Sequence, residues 1–155
     1  MVLSKREREF HRKMAVRCFN ETWDYLEKKK RTEQDDREML QLAHASRYHW
    51  GLVGTPRNKA VGDWQISRVY AALRQPRHSL LPAKSSLEIC KREKLSDVLA
   101  TAYEAVARAY AVAHDHASAS KYLKSTRDQL ETLDLSAEDR KAYLGQIDET
   151  EKLIA

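Results

Sequence analysis

Arginine recurs at positions 68 and 108, at the same place in two stretches that repeat each other forty residues apart. Ile66-Ser67-Arg68-Val69-Tyr70-Ala71-Ala72 lies over Val106-Ala107-Arg108-Ala109-Tyr110-Ala111-Val112. A guanidinium offers planar, paired donors that match a carboxylate or a phosphate, and two of them equivalently placed make a candidate anion-binding pair. Trp64 and Glu104 stand one helical turn earlier on the same faces, Trp64 able to supply apolar contact area. The densest polar and aromatic run is Ala43-His44-Ala45-Ser46-Arg47-Tyr48-His49-Trp50. His44 and Tyr48, four apart, share a helix face and with Trp64 outline a candidate ligand pocket between the second and third helices. His44 and His49 cannot both reach one ion from a single helix, so no metal site is expected there. The simpler reading is a histidine hydrogen-bonded to a neighbour, with Trp50 in the core.

His114-Asp115-His116 has the residue types of a catalytic cluster, but it falls at a helix–helix turn, where Asp reads as a cap. It lacks the elbow and oxyanion donors that nucleophilic chemistry needs. Lys5, Arg6, Arg8, Arg12, Lys13 and the run Lys28-Lys29-Lys30-Arg31 could grip phosphates by counterion release. Glu7, Glu9 and Glu27 interrupt them, and cations near a helix C-terminus complement its dipole unaided, so nucleic acid is not favoured as a partner. Only four glycines are present, and neither a phosphate loop nor zinc-ligand spacing occurs. No catalytic residue, cofactor or metal is therefore expected, and the chain does not read as an enzyme.

The elements that carry these residues are helices. With four Gly and three Pro in 155 residues, the composition is that of long helices with short connections. Seven are expected: about Ser4 to Lys30; a second capped by Thr32 and ending near Gly51 and Gly54; a third opened by Thr55-Pro56; a fourth from Pro76 to about Lys91. Pro82 should kink that fourth helix or delay its start. The fifth runs from Ser96 to about Ala113, the sixth from Asp115 to Leu133, and Ser136 caps the seventh, which ends near Ile154. The forty-residue period without strand signals implies an all-α stack of antiparallel helical hairpins. The single domain divides into an N-terminal helical pair (1–54), a first repeat (55–94), a second repeat (95–134) and a capping helix (135–155).

The order of packing residues resembles tetratricopeptide-type repeats: a small residue, Tyr three later, a small residue nine further, then a bulky one. Ala107, Tyr110, Ala119 and Leu123 meet that pattern; Ser67, Tyr70 and Ser79 meet it with Ala83 in the last place. The period is forty rather than the family's thirty-four, the turns lack glycine, and the match spans residues 64–127. The resemblance implies an α-solenoid fragment whose groove, lined by the first helix of each hairpin, holds a peptide or protein partner through Trp64, Arg68, Glu104 and Arg108. The alternative is a small-molecule-sensing accessory protein using His44, Tyr48 and Trp64. The whole chain also resembles uncharacterised bacterial proteins with Ala- and His-rich second helices, which implies no function.

The charge is uneven. Residues 1–31 hold ten Lys and Arg against five Asp and Glu, while residues 125–155 hold four against eight. A basic head and an acidic tail can attract each other, within one chain or head-to-tail between copies as a homo-oligomer. The simpler reading is that long surface helices carry many charges whose local imbalance contributes little. No segment is apolar enough to span a bilayer, and Cys18 and Cys90 have no redox or metal spacing, so a reduced, cytoplasmic setting is expected.

Overall fold

A computed structural model describes residues 2–155. Seven helices follow in order: α1 (Lys5–Leu26), α2 (Glu33–Val53), α3 (Pro56–Ala72), α4 (Pro76–Arg92), α5 (Ser96–Val112), α6 (His116–Glu131) and α7 (Ala137–Ile154). The starts are set by local chemistry. Ser4 with Glu7, Thr32 with Asp35, and Thr55 with Asn58 form reciprocal caps in which each side chain bonds the other residue's amide. Asp115 and Ser136 cap α6 and α7 from one side.

The middle four helices begin at residues 56, 76, 96 and 116. The forty-residue period is thus built from two equal helix-plus-turn units of twenty. Each of the three turns between them is closed in the same way. The amides of Gln75, Leu95 and Asp115 reach back to the carbonyls of Tyr70, Cys90 and Tyr110 at 2.9, 2.9 and 3.0 Å. This closure needs a left-handed residue, normally glycine, just before the returning amide. Here Arg74, Lys94 and His114 hold that conformation, with φ of 58°, 55° and 63°. A side chain makes it unfavourable, so replacing all three by glycine should raise stability by up to about 1 kcal/mol per site. Urea unfolding of the triple variant Arg74→Gly/Lys94→Gly/His114→Gly checks this; an unchanged or lower midpoint would show that the turns carry no strain.

The odd-numbered helices form one layer, α3 touching both α1 and α5, and α5 touching α7; the even-numbered helices pack between successive members of it. The closest approaches are at small residues. Ser46 donates to the Ala15 carbonyl, Ser86 to Ala60 and Ser79 to Ser67, all at 2.8 Å and all buried. In the next hairpin Ala107 and Ala119, forty residues after Ser67 and Ser79, are fully buried. A small side chain on each helix is what lets the backbones come this near.

Two expectations about the elements change. The first helix ends at Leu26 rather than near Lys30, because the cations that follow reach forward to the acidic first turn of α2. Lys28 pairs with Asp35 at 2.8 Å and Arg31 with Asp36 at 2.7 Å. Pro82 does not delay α4, which starts at Pro76 and runs through it to Arg92. Among the described residues no helix is long and apolar enough to cross a membrane.

Candidate functional site

A groove of about 530 Å³ lies between α1 and α7, floored by α3 and α5. Trp23 and Leu26 come from α1 and Glu27 from its C-cap, Arg68, Ala71 and Ala72 from α3, Arg108 and Val112 from α5, and Glu149 and Leu153 from α7. Arg31 and Arg74, from the turns after α1 and α3, stand at its edge. The two repeated arginines are therefore neighbours in one depression.

Their partners differ in depth. Arg108 is held from below by Glu104, which is 2% exposed: its Nε donates to one carboxylate oxygen at 3.0 Å, and its Nη2 lies 2.8 Å from the same oxygen in an ion pair. The Thr150 hydroxyl donates to the same oxygen at 2.6 Å. From above, Glu149 accepts from Arg68 at 3.0 Å and from Arg108 at 3.2 Å, and its side chain is 55% exposed. Arg68 also rests over the Trp23 ring, 5.3 Å from its centre. Burial and the adjacent Arg108 both push the Arg68 guanidinium below its ordinary pKa, by disfavouring a second positive charge. Its Nη1 is buried without a hydrogen-bond partner, and so is the second oxygen of Glu104.

Glu149 is the residue that sequence reasoning missed, yet the repeat contains it. Arg68, Arg108 and Glu149 are each the thirteenth residue of their helix, counted from Pro56, Ser96 and Ala137. The last helix-plus-turn unit, from His116 to the start of α7, is 21 residues rather than 20, so a strict forty-residue step from Arg108 lands on Asp148. Allowing one inserted residue would have found it. The third row of the groove is thus acidic where the first two are basic.

Trp64 is 8% exposed and packs against Trp23, ring centres 5.5 Å apart. It lines a neighbouring depression of about 430 Å³ with Val61, Asp97 and Tyr143. Arg57 and Asp97, themselves forty residues apart, pair across its mouth. Of the four residues expected in the groove, Arg68 and Arg108 line it, Glu104 underlies it and Trp64 flanks it.

His44, Tyr48 and Trp64 are not brought together. The His44 Nε2 and the Tyr70 hydroxyl share a hydrogen bond of 3.1 Å, while Tyr48 is 64% exposed and meets the His49 ring edge-on. Trp64 and Tyr70 are six residues apart on α3 and so point roughly 120° apart, which puts Trp64 on another side of the helix. His49 instead faces His11 across the first hairpin, Nδ1 to Nδ1 at 2.8 Å. Asp115 gives one carboxylate oxygen to the Ser118 amide at 3.0 Å and the other to the Ser118 hydroxyl at 2.6 Å, which leaves it a cap between two histidines.

Comparison with known protein families, curated proteins and solved structures finds no match. What the site can do must be argued from its own geometry. Two guanidiniums share one exposed carboxylate, apolar walls stand on both sides, and the acidic group that fixes Arg108 is too deep to compete for a ligand.

Proposed function

We propose that this chain is a tetratricopeptide-like interaction module that seats an extended segment of a partner protein in the groove between α1 and α7. A carboxylate of the partner replaces Glu149 on Arg68 and Arg108, while Trp23, Leu26, Val112 and Leu153 receive its apolar side chains. The observation that carries this reading is the shared carboxylate. Glu149 holds both arginines from an exposed position, so its exchange for another acid costs little. A cytoplasmic setting accords with it: both cysteines are free, and burial pushes the Cys90 thiol up to about 11, so it stays protonated.

Opposite responses of two variants test the reading. Glu149→Gln removes the internal competitor and should tighten a groove-bound acidic segment by up to roughly fivefold, the weight of an exposed ion pair. Arg68→Gln removes a charged donor and should weaken it by at least about tenfold. Partners captured from a lysate would be ranked across wild type and both variants, and the segment of any graded partner titrated as a peptide. Equal retention by all three would refute the groove as the binding site.

A further inference from the structure

A second cavity, of about 570 Å³, opens between α2, α3 and α4. It is turned away from the arginine groove, since Arg68 and Tyr70 are two residues apart on α3 and point roughly 160° apart. Tyr70 forms its centre. The His44 ring meets Tyr70 edge-on with centres 5.8 Å apart, and the His78 ring lies tilted against it at 5.3 Å. Leu81, 75% exposed, and Pro82 supply an apolar wall.

The charge at this cavity is one-sided. Asp63 is the acid that lines it, and both its oxygens are committed, one to Arg47 at 2.7 Å and the other to Ser85 at 2.8 Å. Arg77 lines the cavity too and makes no ion pair among the described residues. Burial holds His44 below its ordinary pKa, so at neutral pH it is a hydrogen-bonding group rather than a charge. The site therefore offers one fixed cation, a row of three rings at stacking distances and an exposed leucine, in a volume suited to a small molecule.

We propose that this cavity binds a small aromatic carboxylate, its ring against Tyr70, His78 and Leu81 and its carboxylate on Arg77. A ring hydroxyl, where present, joins the Tyr70–His44 pair. A phosphate ester would need a second fixed cation, and Arg77 stands alone. This builds on the small-molecule alternative read from the sequence, but relocates it: His44 stays, Tyr48 and Trp64 leave, and α4 contributes half the site. It does not depend on the peptide groove, because Arg77 and Arg68 belong to separate cavities.

Residue-resolved NMR titration tests it, with benzoate, 4-hydroxybenzoate and indole-3-carboxylate as probes and benzamide as the uncharged control. The expected result is saturable shifts of the His44, Tyr70 and His78 ring signals by at least one carboxylate, with benzamide at least about tenfold weaker. Arg77→Gln should abolish the shifts and Arg68→Gln should leave them. Tyr70→Phe should weaken 4-hydroxybenzoate relative to benzoate. Shifts centred on Arg68 and Arg108, equal binding of benzamide, or no saturation at millimolar probe would each overturn the proposal. Arg77 is exposed and unpaired, so a folded spectrum of Arg77→Gln is expected and keeps the comparison valid.

Discussion

Replacing Arg108 by methionine is expected to destabilise the protein by roughly 3–5 kcal/mol, a large share of what a domain of this size possesses. The methionine fills much of the same space, so the loss is not one of volume. It comes from Glu104, which is almost wholly buried and would lose its ion-pair partner, keeping the Thr150 hydroxyl as its direct hydrogen-bond donor. Arg68→Met is the contrast. Its partner Glu149 is half exposed and keeps Arg108 as a second partner, so the cost should stay near or below about 1 kcal/mol. Urea unfolding of the two variants side by side would check the difference; equal midpoints would mean that depth of the partner does not decide the cost.

The same argument predicts a recovery. Glu104→Leu combined with Arg108→Met removes both charges and leaves apolar side chains of similar size. The double variant should regain most of the loss, short by roughly 1 kcal/mol because the buried Thr150 hydroxyl loses its acceptor. A coupling of at least about 2 kcal/mol should appear in the double-mutant cycle. Strict additivity would show that Glu104 and Arg108 act independently. For the groove the consequence is practical. Reversing the charge of both arginines would set Glu104 against a buried acid and destabilise the chain before any partner was lost. Arg68 and Glu149 are the positions at which binding can be varied without that penalty.

Much of the fold is legible in the sequence because its signals are local. Thr32 with Asp35, Thr55 with Pro56, and Ser136 each announce a helix start, and the structure begins helices there. The forty-residue repeat is legible because packing fixes small residues at 67, 79, 107 and 119, and any larger side chain would hold the helices apart. What the sequence hides is non-local or conformational. Nothing in Arg74, Lys94 and His114 as residue types announces a left-handed turn; it is imposed by the equal spacing of the helices around them. Trp64 looks like a groove residue until Trp23, from a helix outside the repeat, packs against it. His44, Tyr48 and Trp64 are close in the chain's helical order, but grouping them ignores that Trp64 and Tyr70 face different ways from α3. Glu149 was concealed by a single extra residue in the last helix-plus-turn unit, which is enough to defeat a fixed period.

That acidic last row rests on how α7 is attached, and Ile147 is the residue that attaches it. α7 packs mainly on α5 and only slightly on α6. Ile147 has no exposure and joins Ala100, Ala107, Leu123 and Leu130 in one apolar cluster, with Tyr143 and Ile154 at its margin. An Ile147→Asp substitution would place a charge at the centre of that cluster, where nothing can pair with it. The cheaper course is for α7 to leave the surface, since a helix held by one seam can detach without disturbing the three hairpins behind it. Hydrogen exchange of the amides in 137–154 should accelerate by roughly 100- to 1000-fold, the equivalent of losing one large buried side chain, with those of α1 to α4 little changed. Ile147→Ala should move in the same direction by less. Detachment would also withdraw Glu149 from Arg68 and Arg108, and with it the Leu153 wall, so an acidic peptide should meet both arginines without their internal competitor but on an opened face. Acceleration spread evenly over all seven helices would instead make α7 part of the single cooperative unit, and Glu149 a fixed element of the groove rather than one that a ligand can displace.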